Sequence, residues 1–232
     1  MFVKPKTESR MKKVHYFLLI AITFSVFVSC KKNSEAMNAG DSATAKEASS
    51  DSQSYTVDTE SSVINWTGSK QTGKHEGTLK LSEGTVFVKD GAVEGGNFTM
   101  DMNTINATDL EPGEDKDNLE NHLKGLTVAE KDDHFFNVKK YPTAKFEITK
   151  IDTEAGKSII EGNLTIKATT KNVSFPAIIT VNDNEVSIVS DTFIIDRTQW
   201  KVNYGSKSIF QDLGDKFVND EIELKVSVKA SR

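Results

Sequence analysis

A single cysteine, Cys30, stands in a chain of 232 residues, so no disulfide can form within the molecule and the folded part must be held together by its core. Basic charge is not in excess. Against 29 Lys and Arg stand 34 Asp and Glu, for a net charge of −5, and no basic stretch is interleaved with aromatics, so nucleic acid is excluded as an expected partner. No repeat recurs at a fixed period of about 20–50 residues. The one long apolar run, Val14 to Val28, is interrupted by His15, Thr23 and Ser25 and falls short of the roughly 20 residues that a spanning helix needs.

The usual signatures of catalysis are missing as well. There is no Gly-x-Ser-x-Gly elbow, and His75-Glu76 lacks the second histidine of a zinc helix. Gly68 to Lys74 has phosphate-loop spacing, but His75 stands where Ser or Thr is required, and Thr78 to Leu81 reads as a strand, so no helix N-terminus is on hand for phosphates. His75, His122 and His134 are scattered and are expected on the surface. Asp115, Asp117, Glu120, Asp132 and Asp133 read as solvated charge on a polar helical face. With no candidate nucleophile and no metal set, the chain is read as a non-enzymatic protein without a resident cofactor.

What is present begins with a leader. Met11-Lys12-Lys13 forms a positive n-region ahead of the apolar run, so residues 1–29 read as a signal peptide whose true start is Met11. The run stops at Phe27-Val28-Ser29-Cys30, which resembles the lipobox of bacterial lipoproteins. An unpaired cysteine at this position is accounted for by a thioether to diacylglycerol; the bland reading is an accidental thiol. Acyl chains on Cys30 would anchor the protein to a membrane without embedding it. Residues 30–54, rich in Ser, Ala, Asn, Asp, Glu and Lys, read as a flexible tether because they cannot bury enough surface to offset their ordering entropy. Lys31 and Lys32, in place of an aspartate, point to the outer membrane; the domain is read as facing the periplasm, with the exterior left open.

Residues 55–232 suffice for one domain with a sizeable core. Period-two alternation dominates. Phe98, Met100 and Met102 alternate with Asn97, Thr99 and Asp101, and Ile222, Leu224, Val226 and Val228 alternate with Glu221, Glu223, Lys225 and Ser227. Strict alternation means one dry and one wet face, the pattern of a barrel or sandwich wall. Asp90-Gly91 signals a tight hairpin turn. Leu110 to His134 is the interruption, with Leu119, Leu123 and Leu126 at helical spacing, read as two short helical pieces closing one end. After His134-Phe135-Phe136, Tyr141-Pro142 forces extended backbone and returns the chain to a strand. The count is about eight strands, enough to close an all-β, antiparallel eight-stranded barrel with a short helical insertion. Trp66, Phe98, Met100, Met102, Phe146, Leu164, Phe193 and Ile195 fall on its dry face. From residues alone they either line a cavity or simply fill the barrel.

Four segments together carry a resemblance. They are Phe135-Phe136 with Tyr141-Pro142 and Phe146; Gly162-Asn163-Leu164-Thr165-Ile166-Lys167-Ala168-Thr169-Thr170-Lys171-Asn172-Val173; Asp196-Arg197-Thr198-Gln199-Trp200-Lys201-Val202-Asn203-Tyr204-Gly205; and the closing strand from Val218 to Leu224. These resemble the YceI-like family over the whole domain. The departures are Ala168 and Lys201, where the family usually has glycine, and the long insert after Ala107-Thr108-Asp109. The resemblance implies a lipocalin-like barrel enclosing an isoprenoid chain, such as a quinone or a polyprenyl phosphate. Phe135, Phe136 and Tyr141 would then shape the mouth, the dry-face residues the tunnel, and Trp200 and Tyr204 would be further contacts. Arg197 would pair with a head group, or else bridge to Asp196 or Asp220. The alternatives are a structural or stress-related envelope protein with a filled barrel, or an enzyme acting on a lipid. A homodimer stays open.

Overall fold

The computed structural model describes residues 1–3, 36, 37, 39–129, 133–154 and 156–232. The chain divides into two units, Met1–Asn33 and Ser34–Arg232. The expectations for Met11, the apolar run and Cys30 lie outside the described residues.

Among the described residues, twelve strands and one α-helix build the second unit. They are β1 (Gly40–Asp41), β2 (Gln53–Val57), β3 (Val63–Lys70), β4 (Gly73–Lys89), β5 (Ala92–Asp101), β6 (Asn106–Ala107), α1 (Glu114–Leu123), β7 (Thr143–Glu154), β8 (Lys157–Ile166), β9 (Thr169–Val181), β10 (Glu185–Ser190), β11 (Phe193–Asp196) and β12 (Val218–Ser231). All pairings between them are antiparallel, and the order β9-β10-β12-β2-β4-β5-β7-β8 returns to β9 through the β8–β9 hairpin, so the sheet closes on itself. Closure removes sheet edges that would otherwise invite pairing with other chains.

The ring has eight positions, although the strands outnumber eight. β2 and β3 both lie between β12 and β4, while β10 and β11 both pair with β12. The expected strands at 78–81 and 85–89 are one strand, β4, kinked where the register slips between Leu81 and Glu83. Such a bulge bends a strand without ending it. Asp90 and Gly91 make the expected turn with φ of 51° and 76°. Alternation in β5 stops one residue early, at Asp101, and Met102 enters a short 3-10 turn yet stays buried. In the insertion, α1 is followed by a turn over 124–128 where a second helical piece was expected.

The larger difference concerns the tether. Its described part lies on the barrel. Met37 N–H donates to the Ile194 carbonyl (2.9 Å) and bridges β11 in parallel, while Gly40 and Asp41 pair with Asn172 and Lys171 on β9. The segment thus joins the free edges of β11 and β9. Farther on, Ala43 exchanges two hydrogen bonds with the Asn163 amide (3.0 and 2.6 Å), and Ser49 and Ser52 both donate to Glu94. The Ser52 hydroxyl, then the Ser49 N–H, hold the Glu94 carboxyl down at about 2. A polar composition rules out a core strand but not this, because backbone groups do the pairing.

The interior is solid at one end. Tyr55, Val57, Val86, Val186, Ala177 and Ala230 are all buried there, and the Tyr55 hydroxyl reaches the carbonyls of Asn182 and Asp183 (3.3 and 3.2 Å) in the β9–β10 turn. At the other end lie the β3–β4 hairpin tip, α1 and the segments 133–142 and 197–217.

The β8–β9 turn tests one departure from the family pattern. Lys167 and Ala168 form it with φ of 48° and 56° and no glycine. Left-handed backbone costs an L-residue about 1–2 kcal/mol, part of which glycine returns as chain entropy. Ala168→Gly is therefore expected to stabilise the domain by about 0.5–1 kcal/mol, read as a rise of about 1–4 °C in melting midpoint. Lys201, the other departure, also has a positive φ, 61°.

Candidate functional site: a one-ended apolar cavity

Above the solid end the barrel is hollow, with a cavity of about 420 Å³. Every strand of the ring except β2 sends inward residues to it, β3 taking that position, because a side-chain period of two puts alternate positions on one face. Of the residues expected from the sequence, Trp66, Phe98, Met100, Met102, Phe146, Leu164, Phe193 and Ile195 line this space, as do Phe135, Phe136, Arg197 and Tyr204. Two do not. Trp200 is wholly buried behind the wall, its indole N–H donating to the Leu164 carbonyl at 2.9 Å. Tyr141 sits outside the lining, held by its N–H to the Asn137 carbonyl (2.9 Å), with Lys140 Nζ 5.2 Å from its ring.

The cavity has a floor and a rim. Phe175 and Phe193 stack at 4.4 Å and 6°, and with Ile160, Ile188 and Val228 they are the last lining residues before the solid core. Gly162 keeps the wall thin. A Cβ there would lie 2.2 Å from Cζ of Phe146, whose ring covers the strand at that point. Charged and polar lining groups gather at the opposite end, among them Ser69, Lys70, His75, Lys216, Asn219 and Glu221. The space is therefore dry along its length and polar only where it opens.

The mouth is assembled from α1 and the segment after it. Leu119, His122 and Leu123 face the cavity from the helix, whose first turn carries Glu114, Asp115 and Asp117 where negative charge is favoured. Phe136 N–H donates to the Leu123 carbonyl (3.2 Å) and Val138 N–H to that of Lys124 (3.0 Å). Phe135 and Asn137 both hold positive φ, 42° and 45°. What fixes this strained corner is Lys167, only 5% exposed, whose ammonium donates to the carbonyls of Phe135 (2.7 Å) and Lys201 (3.2 Å) and pairs with Asp133 (3.1 Å).

One feature was not legible from spacing. His122 and His134, read as scattered surface residues, meet with Nδ1 and Nε2 3.0 Å apart, and Tyr204 packs against both rings at 4.8 and 4.3 Å. Burial pushes both imidazoles below the ordinary histidine range, and for His134 the neighbouring His122 and Lys167 act in the same direction. Neutral rings sharing one N–H fit such a place. For Arg197 the sequence leaves two roles, a head-group partner or a bridge to Asp196 or Asp220. Its guanidinium donates to the carbonyls of Asn219 (3.0 Å), Val218 (3.0 Å) and Val202 and approaches Asp220 at 3.5 Å, the contacts of a bridging role. Burial pulls its pKa down, against the opposing pull of Asp220, Asp196 and Glu221.

The phosphate-loop spacing resolves into a hairpin, with Lys70 paired to Gly73. His75 turns to Asp109 at 2.8 Å. Among the described residues no three His, Cys, Asp or Glu are grouped to hold a metal ion. Glu120 is occupied structurally, accepting from the Ala107 N–H (3.0 Å) and pairing with Lys116 and Lys124.

Comparison with known proteins agrees with this architecture. The chain is 35% identical over 85 residues to a UPF0312 protein of Photorhabdus laumondii, spanning 34% of this chain and 41% of that protein's length. It is 31% identical over 143 residues to a UPF0312 protein of Pseudomonas aeruginosa, with 59% and 70% covered. Among solved structures, BcnA of Burkholderia cenocepacia superposes with a TM-score of 0.57 at 21% identity, over 75% of this chain and 99% of that one. A polyisoprenoid binding domain from Saccharophagus degradans, implicated in plant cell wall breakdown, gives 0.53 at 11% identity, over 76% and 97%. At these identities the two structures speak for the fold. The YceI-like domain matches residues 55–230, the stretch that builds nearly all of the ring and its cavity, and the chain belongs to the YceI-like family.

Proposed function

We propose that this protein is a non-enzymatic binder and carrier of an isoprenoid or similar long-chain apolar lipid in the cell envelope, tethered to a membrane through Cys30. The observation that carries the reading is the one-ended cavity. Its length is walled by Phe, Met, Ile, Leu and Val, while polar groups are confined to the rim, so it suits a molecule with one long apolar chain and one polar end. Burying such a chain yields about 2.5 kcal/mol per 100 Å² of apolar surface, so few polar contacts are needed. Met100 and Met102 suit an irregular chain because thioether side chains repack at little cost. A barrel filled by its own side chains would leave no such space. The polyisoprenoid binding of the Saccharophagus domain, a protein of the same fold, supports the class of ligand.

The test is organic extraction of the full chain carrying Cys30→Ser, purified from lipid-rich cells, with mass spectrometry of what is released. A prenyl or similar long-chain species at near one per protein is expected. Met100→Trp with Leu224→Trp, which place bulk inside the cavity, is expected to reduce retention at least tenfold, about 1.4 kcal/mol, while the protein stays folded. A lipid-free protein, or full retention in the filled variant, would sink the proposal.

A further inference from the structure

We infer that the segment 203–217 is a lip that docks on a lipid bilayer, so that the cavity opens directly onto the membrane surface; this rests on the lipid-carrier reading above. Part of the lip's polar complement holds it together: Ser206 is fully buried, its hydroxyl lies 2.8 Å from that of Ser208, and Ser208 donates to Asp220 at 2.6 Å. The Phe210 N–H donates to the Ser206 carbonyl (2.9 Å), Val218 N–H to that of Gly205 (2.8 Å), and the Lys207 ammonium lies 3.6 Å from the Phe217 ring centroid. Among the polar residues it presents outward, this scaffold also holds out large apolar ones. Ile209 and Phe210 are 49% and 48% exposed, and Tyr204 at the base of the lip is 41% exposed.

The partner follows from the place. Tyr204 and Lys216 of this segment, and Val218 directly after it, line the cavity, and Val218 pairs with Lys70 at the β3–β4 tip, so the segment that carries Ile209 and Phe210 borders the opening. A long apolar chain is held in bilayers and not in water, so the surface at the opening must meet a bilayer if the chain is to pass without hydration. An apolar tip with lysines beside it matches the layering of an interface, apolar below and charged at the head groups. Lys207 and Lys216 are offset on the same segment by Asp212 and Asp215. The contact is accordingly apolar and does not require anionic lipid.

The experiment reads orientation, since the N-terminal leader can by itself hold the full chain on a vesicle. An environment-sensitive fluorophore is attached at Gln211→Cys, or at Asn184→Cys in the β9–β10 turn at the solid end, in the Cys30→Ser background, and phosphatidylcholine vesicles are added. Expected are a blue shift at 211, none at 184, persistence of the shift in high salt, and its loss on adding Ile209→Asp and Phe210→Asp, together with at least tenfold slower uptake of vesicle lipid. No shift at 211, an equal shift at 184, or a shift at 211 that survives the two aspartates overturns the docking. The carrier reading fails separately: a shift at 211 with no lipid ever extracted from the protein upholds the docking surface and removes the carrier.

Discussion

Arg197→Ala is expected to destabilise the domain by about 3–5 kcal/mol, the range for removing one partner of a buried charged network. Three backbone carbonyls, those of Val202, Val218 and Asn219, lose their donor at once, and Asp220 loses its counter-charge. Buried acceptors left without donors cost their full desolvation. These carbonyls lie at the start of β12 and in the turn after β11, so the seam between the last strand and the mouth loosens first. A drop of roughly 10 °C in melting midpoint is the reading. Arg197→Lys is expected to recover only part of it, because an ammonium cannot reproduce the planar fork that reaches three carbonyls on two segments. If Arg197 served a head group instead, the alanine variant would melt like the parent and lose only ligand.

Lys167→Ala is expected to cost about 2–3 kcal/mol, from charge-assisted hydrogen bonds each worth about 1.5–3. Its ammonium ties Phe135 and Asp133 to Lys201, so one side chain joins the aromatic corner to the turn that follows β11. Without it the positive φ of Phe135 and Asn137 has less to sustain it, since strained backbone persists only where its surroundings over-determine it. Hydrogen exchange is expected to rise at 133–138 and at 201–204 while β4, β5 and β7 remain protected. Uniform exchange across the barrel, or none, would count against this clamp. Lys167→Met keeps the bulk and removes the donor, and is expected to behave like alanine.

The two residues just discussed show where the sequence stops being informative. Phe98, Met100, Ile222 and Leu224 announce their faces by alternation, and Asp90-Gly91 announces its hairpin, because strand period and turn conformation are local properties. The dry-face residues therefore face the interior, where they line the cavity. Lys167 reads as a surface lysine in a turn, and its burial depends on carbonyls 32 and 34 positions away. His122 and His134 have no recognisable spacing, and only the return of the chain after α1 brings their nitrogens within 3.0 Å. Trp200 looks like a lining aromatic, but the 3-10 turn Arg197–Trp200 directs its indole to the Leu164 carbonyl from behind. The strap at 37–41 is hidden for another reason. Pairing through backbone leaves no mark on side-chain type.

That strap makes the covalent chain ahead of the barrel a mechanical part of its wall. A pull on residue 36 is borne first by the Met37 hydrogen bond to Ile194 and by the two Cα pairs between β1 and β9. Because these are few and lie at the start of the folded unit, they peel before the long hairpins shear. Peeling frees β11 and β9 from the segment that joins them. It also bares two strand edges. A protein trimmed to begin at Tyr55 starts in that unlatched condition, ready to pair with a neighbour.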